Sequence, residues 1–260
     1  GYSPNCSDET SFTVTIVPTP VANTVPVASR TFCDTDGTND GVLNVALTVF
    51  NPVVLGAQNG PEFVVTYHAT LADATTNTAA IAQTTATLVY VRVSNTLAPD
   101  CFEVKAIQII INKLPVPTPV DGIMCYNTFT NHLIQPYIIT SGLSAASHTI
   151  KWYNELGQQV GTGANYTAIT PGVYSVIATN NATGCASDEV FVTVTPSEPA
   201  IVAYTVNEDF ADTQSITVET QGTGDYEYQL DNGAFQDSPT FNNVMSGFHT
   251  ITVRDKNGCG

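Results

Sequence analysis

Charge is scarce in this sequence. Only 12% of its 260 residues are charged, and 7 basic residues face 23 acidic ones, for a net charge of -16. So few Lys and Arg exclude a phosphate-binding surface, which needs clustered cations. They equally exclude adsorption to anionic lipid. The four histidines, His68, His132, His148 and His249, are far apart, and neither an HExxH nor a GxSxG motif is present. No CxxC or paired-His spacing suggests zinc. No run approaches the ~20 apolar residues that cross a bilayer. The longest, such as residues 107–111, are strand-sized. The start lacks the pattern of a secretory signal peptide. Gly1-Tyr2-Ser3-Pro4 reads as a cut into an ongoing domain, and Asn257-Gly258-Cys259-Gly260 as an abrupt stop.

What is present points to strands. Apolar residues make up 43% of the chain, and polarity comes mainly from Thr, Ser and Asn. Thr, Val, Ile and Tyr suit a half-buried pleated surface. The length predicts two or three domains, each with its own core. The acidity keeps the chain soluble and suits divalent cations.

Internal repetition sets the organisation. Three segments share a Cys, a Val/Thr/Ile-rich strand and a Pro-rich hinge. They begin at Cys6, Cys101 and Cys185 and end at Pro18/Pro20, Pro115/Pro117/Pro119 and Pro196/Pro199. A fourth copy begins at Cys259. Alternation is plain in Phe12, Val14, Ile16 and in Val190, Val192, Val194. Each segment reads as the last strand of a module, with prolines that stop ladder pairing and stiffen the linker. The expected boundaries are 1–20 for the tail of a preceding module, then modules at 21–117, 118–197 and 198–260. Residues 71–82 read as a short helical turn or a loop. Turns are expected at Glu155-Leu156-Gly157, at Asp231-Asn232-Gly233 before a strand at Phe235, and at Pro171-Gly172.

Two cysteine pairs fit within modules, Cys33 with Cys101 and Cys125 with Cys185. Each pairs a cysteine near the module start with one opening its last strand. Loops of that size stabilise by about 4 kcal/mol in the chain-entropy model and imply an oxidising compartment. Buried free thiols are the other reading. Cys6 and Cys259 belong to incomplete copies. Trp152, the single Trp, lies between Cys125 and Cys185. That order resembles immunoglobulin-like domains and makes Trp152 a core residue, with sugar stacking as the minor reading. The expected fold class is all-β, with tandem immunoglobulin-like β-sandwich modules in an elongated array.

The candidate metal site is the 34–41 loop. Asp34, Asp36, Asn39 and Asp40 offer hard oxygens, and Gly37 and Gly41 allow a flexible loop, as Ca2+ requires. The spacing is not that of an EF-hand, and an acidic turn entering a strand is the competing reading. Ca2+ would brace the module rather than catalyse. Acid pairs such as Asp8-Glu9, Asp188-Glu189 and Glu208-Asp209 are sequence neighbours, which face opposite sides of a strand and read as solvated surface. Tyr126, Tyr137, Tyr153, Tyr166, Tyr226 and Tyr228 are available to stack on sugars. No catalytic residue is assigned.

The run Cys33-Asp34-Thr35-Asp36-Gly37-Thr38-Asn39-Asp40-Gly41, with Leu43 and Leu47, resembles the opening of repeats in large secreted proteins of the Bacteroidetes. Val65-Thr66-Tyr67-His68, Leu71-Ala72-Asp73-Ala74 and Tyr90-Val91-Arg92-Val93 match later signatures. Tyr226-Glu227-Tyr228-Gln229-Leu230-Asp231-Asn232-Gly233 and Ser246-Gly247-Phe248-His249-Thr250-Ile251-Thr252-Val253-Arg254-Asp255 resemble repeats of gliding-motility adhesins. The resemblance implies proteins with type B sorting domains exported by the type IX secretion system. The translocon and outer-membrane shuttle proteins would be partners, surface polysaccharide or other cells would be possible ligands, and the location would be extracellular or on the outer cell surface. The expected function is a non-catalytic stalk or adhesin segment. The alternative is a carbohydrate-binding accessory region of a secreted multidomain hydrolase.

Overall fold

The computed structural model describes residues 9–14, 16–58, 60–207 and 214–260. The chain divides into two compact units, one ending at Lys113 and one spanning Leu114–Gly260. The division falls inside the Pro-rich hinge, slightly before the expected boundary at residue 117.

In the first unit the strands are β1 (Thr31–Cys33), β2 (Val45–Ala46), β3 (Phe63–His68), β4 (Gln83–Thr84), β5 (Leu88–Asn95), β6 (Ala98–Gln108) and β7 (Ile110–Asn112). The antiparallel sheet β3-β5-β6 is the largest, and β1 pairs in parallel with β7. Val89, Val91 and Val93 alternate along β5 into a core with Leu47, Phe50, Tyr67 and Ile107. Two short helices are α1 (Asn51–Leu55) and α2 (Leu71–Thr76). The helical alternative for residues 71–82 thus holds for its first half. Thr70 Oγ1 accepts from Asp73 N, and left-handed Asn77 ends the helix. Arg92 Nη1 caps its free carbonyls at Ala74 (3.1 Å) and Thr75 (3.0 Å), with its guanidinium over the Phe102 ring.

The second unit holds two cores. Residues 118–197 carry β8 (Gly122–Asn127), β9 (His132–Gln135), β10 (Tyr137–Thr140), β11 (His148–Asn154), β12 (Gln159–Thr162), β13 (Asn165–Ala168), β14 (Gly172–Asn180) and β15 (Val190–Ser197). A six-stranded sheet, β12-β11-β14-β15-β8-β9, shares one core with the pair β10-β13. Trp152 is fully buried there, stacked near Tyr166, and donates from Nε1 to Gly163 O at 3.0 Å. On β15, Val192 and Val194 point inward and Phe191 outward. This is an immunoglobulin-like β-sandwich, and the chain as a whole is all-β. The Glu155-Leu156-Gly157 and Pro171-Gly172 turns fall where expected.

Residues 198–260 carry β16 (Ile201–Val206), β17 (Gln214–Gln221), β18 (Tyr226–Leu230), β19 (Thr240–Val244) and β20 (Ile251–Asp255). Sheets β16-β17-β19 and β18-β20 enclose a small core of Val218, Tyr228, Phe241 and Val244. The strand expected at Phe235 is reduced to one bridge, Tyr228 with Gln236, and the ladder partner of β18 is β20.

Proline does not end the ladder as expected. Pro196 lies within β15 opposite Met124 of the parallel strand β8. A proline lacks only the donor, so it is tolerated where the ladder needs its carbonyl or nothing.

Candidate functional site

Both expected cysteine pairings are corrected by the structure. Cys125 is bonded to Cys259, with a Cα–Cα distance of 5.2 Å. Cys101 is a free, exposed thiol. Cys33 and Cys185 are each disulfide-bonded. Strand direction explains why the expected pairs fail. Cys125 lies opposite Ser197, where β15 ends. Cys185 lies beyond the other end of β14, where Asn180 N donates to its carbonyl, ahead of the start of β15. The length of β15 separates them by about 23 Å, whereas a disulfide requires Cα atoms within about 7 Å. Cys33 lies opposite Asn112 at the end of β7, while Cys101 is near the start of β6. That separation is about 36 Å of extended chain. The opening cysteine of each module therefore sits at the end of the sandwich where its last strand finishes.

At the exit of 118–197 this places a covalent and polar junction. Ser197 Oγ donates to Asp255 Oδ2 at 2.6 Å. Asp255 also accepts from the backbone N–H groups of Asp225 (3.0 Å), Asn257 (3.2 Å) and Cys259 (3.2 Å). Burial pushes its carboxyl up, but the bonds from Ser197, Asn257, Asp225 and Cys259 outweigh this and hold it below the ordinary range. Glu198, 1% exposed, accepts from Thr128 N (2.8 Å) and Thr128 Oγ1 (3.0 Å) in one module and from Thr223 N (3.1 Å) in the next. Tyr226 Oη donates to Glu198 O at 3.0 Å. Two buried carboxylates thus span the joint, each satisfied by donors rather than by a cation.

The other expected site residues are placed as follows. Asp34 is buried, and its Oδ2 accepts from Gly41 N at 2.6 Å. Asp36 accepts from Thr38 N and Oγ1, which holds its carboxyl below the ordinary value. Asp40 accepts from Val42 N, and Asn39 takes a positive φ of 50°. Asp34, Asp36 and Asp40 thus each accept from a nearby backbone N–H. Among the described residues no group of three His, Cys, Asp or Glu side chains gathers to hold a metal. His68 is buried, with Nδ1 2.6 Å from Thr78 O and Nε2 2.9 Å from Thr66 Oγ1. Glu189 accepts from Ser175 Oγ at 2.6 Å. Asp8, Glu208 and Asp209 lie outside the described residues. Tyr126, Tyr137 and Tyr166 pack against the core of 118–197, and Tyr226 and Tyr228 belong to that of 198–260.

His249 pairs with Asp231 at 2.9 Å across the loop that enters β20. The Asp231 bond, then Met245 O, raises the imidazole above its ordinary value of 6.5. The His249 bond, then Thr250 N, lowers Asp231 below 3.8. The histidine contribution is complete below 6.5 and fades as pH rises through the raised value. The aspartate contribution is present above 3.8 and fades as pH falls through the lowered one. The melting temperature of the 198–260 module is expected to fall as pH passes from mildly acidic to mildly basic. His249→Gln should flatten that slope, as differential scanning calorimetry would show.

With the joint described, comparison with known proteins is informative for one segment. Residues 29–115 match the Flavobacterium inter-domain disulphide bond domain. The match covers about a third of the chain and supports a Bacteroidetes extracellular origin for this repeat type. No curated protein matches the chain. Among solved structures, immunoglobulin domains 1–4 of Sidekick-1 are 11% identical over 75% of this chain and 68% of that one, with a TM-score of 0.30. The N-terminal four Ig domains of Dscam1 isoform 8.4 are 12% identical over 65% and 52%, at 0.25. Mouse cadherin-23 EC22-24 is 12% identical over 75% and 81%, at 0.22. At these scores the likeness carries no functional argument. Among the described residues no helix is long and apolar enough to cross a membrane.

Proposed function

We propose that this chain is a non-catalytic, load-bearing segment of a secreted surface protein, in which one sandwich is stapled covalently to its successor. The observation that carries this reading is the Cys125–Cys259 bond, which joins the exit end of one sandwich to the turn after β20 of its successor. The matched family is named for a disulphide between domains. Of the two cysteines within residues 29–115, Cys33 is oxidised and Cys101 is a free thiol. Cys185 follows β14 as Cys259 follows β20. Peptide mapping of the unreduced protein is expected to recover a 125–259 cross-link. A 125–185 cross-link would overturn the staple.

The finer reading is a stalk or adhesin segment that is exported by the type IX system and holds a distal binding region away from the cell. Its support is the resemblance of the 198–260 repeat to gliding-motility adhesins, together with an acidic surface suited to the exterior. Antibodies against 118–260 should label intact cells of the source organism, and a translocon mutant should lose that label. Labelling only after permeabilisation would contradict surface display.

A further inference from the structure

Asp255 and Glu198 show how this chain supports a buried carboxylate, with several donors converging on each. Asp34 differs. Its side chain is 0% exposed, and Gly41 N donates to Oδ2 at 2.6 Å. Its Oδ1 is buried as well, and among the described residues no donor reaches it. Asp34 Oδ1 is the one buried carboxylate oxygen there in that position. A buried anion is stable when it is paired, hydrogen-bonded or bound to a metal.

The surroundings add negative charge rather than positive. Asp36 is in hydrogen-bonding contact with the Asp34 side chain. Its Oδ1 already takes Thr38 N at 2.9 Å and Thr38 Oγ1 at 2.8 Å. Two carboxylates in contact repel unless a positive charge lies between them. Lys113 runs its stem past the loop, where a Cβ added at Gly41 would sit 3.3 Å from Lys113 Cε. Among the described residues, however, no ion pair joins a basic side chain to Asp34 or Asp36. The pair thus has a buried oxygen to offer and no protein cation to take it.

We infer that Asp34 and Asp36 together bind one Ca2+ ion, Asp34 through its buried Oδ1 and Asp36 from the solvent side. Ca2+ takes six to eight oxygens in flexible geometry and accepts carbonyls and waters beside carboxylates. No third carboxylate joins these two among the described residues, so loop carbonyls and waters complete the shell. Binding is accordingly weak, with a dissociation constant on the order of 0.1–1 mM, the range of extracellular modules. Mg2+ demands a near-ideal octahedron and sheds its waters reluctantly, so it binds less well. Asp34 follows β1 directly, and its N–H donates to Asn112 O of β7 at 2.8 Å. The ion therefore braces the loop where it leaves the β1–β7 pair.

Titration of the full, chelator-treated chain with CaCl2 tests this, read from the amide resonances of Asp34, Thr38 and Gly41. These are expected to shift and saturate with a midpoint on the order of 0.1–1 mM, and at several-fold higher concentration with MgCl2. Asp36→Asn should raise the Ca2+ midpoint by about tenfold, since affinity follows the charge of the ligands. Asp36 is exposed, so this variant should fold like the parent. Asp34→Asn should abolish the shifts, and if it unfolds the domain Asp36→Asn still decides the matter. Glu155→Gln, which removes an exposed charge elsewhere, should leave the midpoint unchanged. A response that NaCl of equal ionic strength reproduces, or that Glu155→Gln weakens as much as Asp36→Asn, overturns the inference, because screening of an acidic chain would then account for it. It also fails if the loop amides stay still up to about 10 mM Ca2+, an order above the expected range, if Asp36→Asn keeps the parent's midpoint, or if Mg2+ binds as tightly.

Discussion

Reducing the Cys125–Cys259 disulfide is expected to cost the 198–260 module about 5 kcal/mol of stability. The bond closes a loop of 134 residues, and in the chain-entropy model a loop of that size restrains the unfolded state by about 5 kcal/mol. The effect should fall mainly on 198–260, whose buried apolar core among the described residues is Val218, Tyr228, Phe241 and Val244. Domains of this size have little apolar burial to spare and lean on staples. The 118–197 module, built around Trp152, should remain folded. Denaturant unfolding with and without reductant, followed by hydrogen exchange at β17 and β18, would show the difference. A Cys125→Ser/Cys259→Ser variant should match the reduced parent. Unfolding of 198–260 at the same denaturant concentration in both states would show that the bond is a bystander.

Replacing Asp255 with Ala should cost about 3 kcal/mol, the range for removing a charged acceptor from several buried donors. Ser197 Oγ and the N–H groups of Asp225, Asn257 and Cys259 would lose their acceptor. Glu198→Ala should cost a similar amount, because Thr128 and Thr223 both depend on it. The carboxyl of Asp255 is held below its ordinary range, so its contribution is present above the unfolded value of 3.8 and is lost as pH falls through the lowered value. Acid should therefore loosen the joint while the disulfide keeps the modules tethered. The readout is the chemical shift of Ser197 and Asp225 amides on titration. Unchanged stability in Asp255→Ala would mean that water replaces every bond it makes.

The strands were legible because their residues alternate with a period of two. Val190, Val192 and Val194 announce β15, where the last two pack into the core. The turn at Gly157 was legible for the same local reason, a positive φ of 71° that suits glycine. The cysteine partners were not. Spacing says which module a cysteine belongs to, but not which end of the sandwich it occupies. That depends on β8 running parallel to β15, a long-range pairing with no local mark. Glu198 was passed over for a related reason. It sits among the prolines of an expected spacer, yet it is buried by a neighbouring module whose position no local pattern encodes. In the 34–41 loop Asp34, Asp36 and Asp40 each accept from nearby backbone N–H groups, a geometry that the spacing of the carboxylates alone does not announce.

The 134-residue ring closed by Cys125 and Cys259 also decides how the polypeptide yields to a pull. Tension applied beyond both cysteines crosses from one to the other through a single S–S bond, leaving everything between them slack. Roughly 450 Å of extensible chain is thereby withheld from stretching until a reductant cuts the bond.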